Sequence, residues 1–182
     1  MNRLSKTLTA SRLILRQARS SDADALFHAY CGEPDCAHYL TRGVHTSMSQ
    51  TAEFLEKWCV HAWSKEDASF AWVIAERHVD LPIGIFLVIR NEDSAQIHFG
   101  IDKQHWGCGL VAEAGHAAIT WLFENNTLRQ LSTVCDAEHV RSQRVLEKLK
   151  FVREGLLEKH LVIPAFGPLA RDGVLYSRAR RQ

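Results

Sequence analysis

The chain has 182 residues, 46% of them hydrophobic and 24% charged, with a formal net charge of +1. This is enough chain for a real core, read as a single domain over residues 1–182, and the charge balance gives no reason to expect disorder or a DNA-binding surface. No apolar run approaches the roughly 18 residues of a membrane span, and the first residues lack the apolar centre of a signal peptide, so a cytoplasmic protein is expected.

The five cysteines, Cys31, Cys36, Cys59, Cys108 and Cys135, are odd in number and show no C-x-x-C spacing. In a reducing compartment they read as small hydrophobes. The ten histidines fall in no H-E-x-x-H or paired Cys/His pattern, so no metal is expected.

In chain order, Arg12 to Ala18 alternates around Leu13 and Leu15 and predicts a first strand after a loose start. Ser21 offers an N-cap to a helix with Ala25, Leu26, Ala29 and Tyr30 on one apolar face, which Gly32-Glu33-Pro34 ends. Asp35 to Met48 reads as a polar loop, and a second helix should begin after Ser47 or Ser49 and run to about Trp63. Phe70–Ala75, Pro82–Arg90 and Ala95–Asp102 read as antiparallel strands, the last two joined by the turn Asn91-Glu92-Asp93-Ser94. There follow a helix over Leu110–Asn125, a strand over Gln130–Cys135, a helix from about Ser142 to Leu149, and strands over Phe151–Ile163 and Gly173–Ala179.

Between the third of those antiparallel strands and the long helix lies Gln104 to Ala114, Q-H-W-G-C-G-L-V-A-E-A. The first four N–H groups of a helix have no partner within it, and the helix dipole makes that end electropositive. Gly107 and Gly109 let the backbone turn sharply and approach an anion closely, so a strand-loop-helix of this kind suits a phosphate as well as serving as a plain turn.

The pattern Q-x-x-G-x-G resembles the acyl-CoA pyrophosphate loop of the GNAT superfamily of N-acetyltransferases. Glu138–Gly155, E-H-V-R-S-Q-R-V-L-E-K-L-K-F-V-R-E-G, is similar to the second CoA-facing segment of its ribosomal-protein (RimJ/RimL-like) branch. Leu13–Asp24 and Gly32–Leu40 resemble that branch's opening, in the same order along the chain. The resemblance implies an α+β GNAT fold, a mixed and mostly antiparallel sheet of about seven strands flanked by about four helices. It also implies acetyl-CoA as cosubstrate and an amine acceptor, either the N-terminal α-amino group of a protein or a small amine; a homodimer is compatible with it.

By the same resemblance Gln104, His105, Trp106, Gly107, Cys108, Gly109 and Leu110 form the cofactor loop, with the N–H groups from Gly107 to Leu110 on the pyrophosphate. The backbone of Phe99, Gly100 and Ile101 pairs with the pantetheine arm as an added strand. Ser142 takes the place of a serine assigned as general acid, although serine is also a preferred N-cap. Relatives outside the branch carry a tyrosine four residues later, where this chain has Leu146. Gln96 stands where the branch often has a glutamate base. His98, on the same strand face by period-two alternation, is the substitute candidate, with a structural role as its alternative. Glu33, His38 and Glu113 are weaker candidates. His139 replaces an asparagine that bonds pantetheine, and Lys150 replaces a glycine expected in a left-handed conformation. Two other readings stay open: a CoA-binding regulatory module without a base, and a transferase using another acyl-CoA.

Overall fold

A computed structural model describes residues 6–64, 68–125 and 127–180. Its frame is one sheet of eight strands in the order β1-β2-β3-β4-β5-β6-β8-β7. The strands are β1 (Leu8–Thr9), β2 (Leu13–Arg16), β3 (Phe70–Glu76), β4 (Pro82–Asn91), β5 (Ser94–Ile101), β6 (Gln130–Asp136), β7 (Val152–Leu161) and β8 (Arg171–Ala179). All pairs are antiparallel except β5 with β6. The helices are α1 (Asp22–Leu26), α2 (Pro34–Ala37), α3 (Met48–Leu55), α4 (Leu110–Glu124) and α5 (Val140–Lys148). Wider turns extend α1 through Cys31 and α3 through Val60, and a tighter turn carries on to Ser64.

This is the expected α+β arrangement with one more strand and one more helix than the sequence suggests. Leu8–Thr9, within the stretch expected to be a loose start, pairs with Ile14 and Leu15. Pro34–Ala37, inside the expected loop, forms one helical turn because proline at its first position needs no N–H partner there. Ser21 occupies the N-cap of α1 without a side-chain bond, whereas Ser47 caps α3 by accepting the Gln50 N–H at 3.2 Å.

Alternation along the strands sorts the core onto two faces. On β3, Phe70, Trp72 and Ile74 join Leu13, Leu15, Phe86 and Ile97 beneath α4, which contributes Ala114, Ala118, Ile119 and Leu122. Ala71, Val73 and Ile85 face the other way, toward Leu26, Tyr30, Leu55 and Cys59. Strand β3 is therefore buried on both faces from Phe70 to Ala75. Among the described residues, no helix is long and apolar enough to cross a membrane.

Candidate active site

The site begins where the sheet comes apart. Parallel pairing of β5 with β6 runs through Ser94, Ala95 and Gln96 and stops at the pair Gln96–Ser132. Beyond it β5 stays bonded to β4 as far as Ile101 while β6 turns to β8. One edge of β5 at Phe99, Gly100 and Ile101 is thus left without a neighbouring strand, and these residues line a cavity of about 630 Å³. An edge of this kind offers backbone groups to an extended ligand, although the Ile101 carbonyl here accepts the Trp106 Nε1–H at 3.0 Å.

The glycine loop closes one end. A short turn, Lys103–His105, is capped by the buried Asp102, which accepts the His105 N–H at 3.1 Å and contacts its Nδ1 at 2.6 Å. Gly107 and Gly109 follow with φ of 79° and 76°, angles natural to glycine, and α4 starts at Leu110. In the backbone bonding of the described residues, the N–H groups from Gly107 to Leu110 donate to no carbonyl. Free donors and the helix dipole here suit a phosphate. His105, Trp106, Gly107, Gly109 and Leu110 line the cavity, while Gln104 and Cys108 do not. Cys108 is exposed and its Sγ contacts the Trp106 carbonyl at 3.7 Å.

Helix α5 forms the facing wall. It starts at Val140, two residues before the expected position, so His139 is the N-cap and Ser142 lies one turn inside. This removes the capping role for Ser142, which lines the cavity and has its side chain hydrogen-bonded to Cys135. His139 also lines it, stacked on Tyr39 with ring centroids 4.4 Å apart. Burial, aided by the nearby Arg141 charge and opposed by Asp136, lowers the His139 pKa to about 4. Asp136 is in turn fixed by Arg171, through Nε at 2.6 Å and Nη2 at 3.2 Å. Lys150 adopts φ of 63°, so the left-handed turn after α5 is kept despite the missing glycine.

Several groups here went unmarked by sequence reasoning. Arg141, Arg144 and Lys148 put three positive charges on the cavity wall, and their i, i+3, i+7 spacing along one helix face is the signal that could have found them. Tyr30, read as a core residue, does lie in the core but also lines the cavity. A Cβ on Gly100 would run into its hydroxyl. Burial raises the Tyr30 pKa, which keeps that hydroxyl protonated. Of His38, Tyr39 and Thr41, which the family resemblance places in a loop over the acceptor cleft, the first two line the cavity together with Leu40 and Thr41 does not; His38 and Tyr39 touch Phe166 of the β7–β8 loop with centroids 4.7 and 5.6 Å apart.

Two base candidates are placed less favourably. His98 pairs with Leu87 in mid-strand and does not line the cavity; burial lowers its pKa. It stands one strand repeat, about 7 Å, from Gly100 on the same face. Glu113 is taken up by Arg12, whose backbone N–H and Nε reach its two carboxylate oxygens at 2.6 and 2.8 Å. Among the described residues, no group of three or more His, Cys, Asp or Glu is arranged to hold a metal ion.

Comparison with known proteins identifies the fold and the family. The uncharacterized N-acetyltransferase p20 of Bacillus licheniformis is 28% identical over 158 residues, covering 85% of this chain and 87% of its own. The ribosomal-protein-S5-alanine acetyltransferase of Vibrio fischeri superposes with a TM-score of 0.81 at 20% identity, covering 96% of this chain and 97% of its own. RimL, a ribosomal L7/L12 α-N-protein acetyltransferase solved with coenzyme A, gives 0.80 at 17% identity, covering 96% and 98%. Residues 12–152 match the profile of the acetyltransferase (GNAT) domain, and the chain therefore belongs to the GNAT acetyltransferase family.

Proposed function

We propose that the protein transfers the acetyl group of acetyl-CoA to a primary amine, foremost the N-terminal α-amino group of a protein. The observation that carries this reading is the convergence of three parts on one cavity: the glycine loop, the open β5 edge and Ser142. The loop takes the pyrophosphate on the N–H groups of Gly107, Cys108, Gly109 and Leu110, beside Gln104, His105 and Trp106. Arg141, Arg144 and Lys148 add positive charge along the same wall. Pantetheine lies along Phe99, Gly100 and Ile101 as an added strand, with His139 at its side. The thioester then points toward the split between β5 and β6.

The amine nitrogen attacks the thioester carbonyl carbon, its lone pair forming the new C–N bond. A backbone N–H of β5 bonds the oxygen that becomes negative. Collapse of the intermediate breaks the C–S bond; the thiolate takes a proton from the Ser142 hydroxyl, and the proton that the attacking nitrogen gives up as the amide forms is returned to Ser142 through solvent. The amine must lose a proton first. His98, uncharged near neutral pH because burial lowers its pKa, accepts that proton through water across the roughly 7 Å that separates it from the cavity wall.

RimL is an α-N-protein acetyltransferase of ribosomal L7/L12 and the Vibrio fischeri neighbour a ribosomal-protein-S5-alanine acetyltransferase, which is why a protein α-amino group comes first as acceptor. The test is a screen of N-terminal peptides of ribosomal proteins, other peptides and small amines, following acetyl-CoA-dependent thiol release. Turnover with peptides bearing a free α-amino group, abolished by N-terminal blocking, supports the reading. Turnover with small amines alone would replace the acceptor class. CoA binding without turnover on any amine would identify a regulatory CoA-binding module, and preference for another thioester would change the donor.

A further inference from the structure

We infer that Arg12 is the positioning residue of the glycine loop, fixing which way the loop's central peptide points and cancelling the one carboxylate beside it. The inference rests on the reading of that loop as the seat of the CoA pyrophosphate.

Arg12 comes just before β2, nearly a hundred residues from the loop in sequence, and its own backbone is held on both sides. The Ala10 N–H donates to the Leu13 carbonyl at 2.9 Å, and the Arg77 N–H donates to the Arg12 carbonyl at 2.8 Å. From that anchor the guanidinium reaches the loop once and the first turn of α4 once. Its Nη1 donates to the Cys108 carbonyl at 3.1 Å, and its Nε donates to Glu113 Oε2 at 2.8 Å. The Arg12 backbone N–H completes the grip on Glu113 Oε1 at 2.6 Å.

The bond to Cys108 matters because of where that carbonyl lies. It belongs to the peptide between Cys108 and Gly109, and the φ of Gly109, here 76°, is one of the two angles through which that peptide turns. Glycine crosses readily between positive and negative φ, so a peptide in this setting is easily turned over. In a trans peptide C=O and N–H point in opposite directions. With its carbonyl held by Arg12, the Gly109 N–H must point away from Arg12. Without the bond, the peptide can turn over and present a carbonyl oxygen where an anion has to sit.

The second contact concerns charge. Glu113 lies in the first turn of α4, with its side chain only 17% exposed. A carboxylate is at home near a helix N-terminus, but there it competes with any phosphate for the same positive end. Arg12 neutralises it. The remaining guanidinium nitrogen, Nη2, sits 3.9 Å from where a Cβ on Gly109 would be, so the positive charge itself borders the start of the helix.

The test uses two thioester donors: acetyl-CoA, and S-acetylpantetheine, which has no phosphates. Arg12→Gln should raise the KM for acetyl-CoA on the order of 10- to 100-fold, the range of a lost charge-assisted bond. kcat at saturating donor, the KM of the acceptor and the use of S-acetylpantetheine should stay near wild type. Adding Glu113→Gln should recover part of the lost affinity by removing the stranded carboxylate, and Arg12→Lys should fall between wild type and Arg12→Gln. Should Arg12→Gln fail to fold, the neutral pair Arg12→Gln/Glu113→Gln and the Arg12→Lys variant carry the same comparison. A folded variant lacking the guanidinium with wild-type acetyl-CoA KM, or one losing both donors equally, would overturn the inference. Wild-type protein that binds no CoA at all would instead overturn the cofactor reading.

Discussion

Replacing Gly109 separates the stability of the loop from its use. At φ of 76° an ordinary L residue costs about 1–2 kcal/mol. The chain already holds Lys150 at φ of 63°, so an unbranched side chain in this region is compatible with folding. A Cβ at Gly109 would meet only Arg12 Nη2, at 3.9 Å, which is ordinary contact. Gly109→Ala and Gly109→Glu should therefore fold, with the melting temperature lowered by roughly 2–8 °C for a chain of this length. Binding should suffer far more, because the new side chain occupies the space through which a phosphate reaches the loop's N–H groups. Loss of two charge-assisted bonds at about 1.5–3 kcal/mol each predicts a CoA dissociation constant raised by ~10²- to 10⁴-fold. The glutamate, which adds repulsion, should lie at the upper end. Calorimetric titration of CoA, alongside thermal melts, measures both quantities. A folded Gly109→Glu protein with unchanged CoA affinity would refute the reasoning.

Ser142→Ala should lower kcat by about 10- to 100-fold with little change in CoA affinity, since a thiolate leaves moderately well without help. His98→Ala should lose most at low pH, where the amine is protonated, and a pH-rate profile parallel to wild type would remove His98 from the mechanism. The folded-state pKa of His139, about 4, lies below the roughly 6.5 of a free imidazole, so the unfolded chain takes up this proton first. Stability from this source is complete above about pH 6.5 and lost as pH falls toward 4; His139→Asn should flatten melting temperature against pH there, leaving a smaller slope from His45 and His98. Lys150→Gly should raise stability by about 1 kcal/mol, read as a small increase in melting temperature.

Most of the fold was legible because apolar periodicity distinguishes a strand such as Phe70–Glu76 from a helix such as Leu110–Glu124. Leu8–Thr9 was not, since two residues show no period and pair only because β2 is there to receive them. The site was legible where one short stretch carries the chemistry: the glycine loop announces its own turn. It was obscure where residues meet through the fold. Alternation puts His98 on the face of Gln96, but how far a cavity extends along a strand has no sequence signature. Ser142 reads as a cap because serine favours that position, yet α5 starts two residues earlier, at His139-Val140. The grip of Arg12 on Glu113 spans 101 positions, and neither residue shows by its neighbours that the other is its partner.

The central claim is that acetyl passes from a thioester held by the glycine loop to an amine in the cleft between β5 and β6. Acetyl-CoA labelled with ¹³C in its acetyl carbonyl, incubated with the protein and a peptide bearing a free N-terminus, tests this most directly by NMR. The account predicts a new amide carbonyl signal on the peptide α-nitrogen, growing in step with free CoA and absent with Gly109→Glu. Label that stays on CoA with every amine offered, although CoA binds the loop, would contradict it.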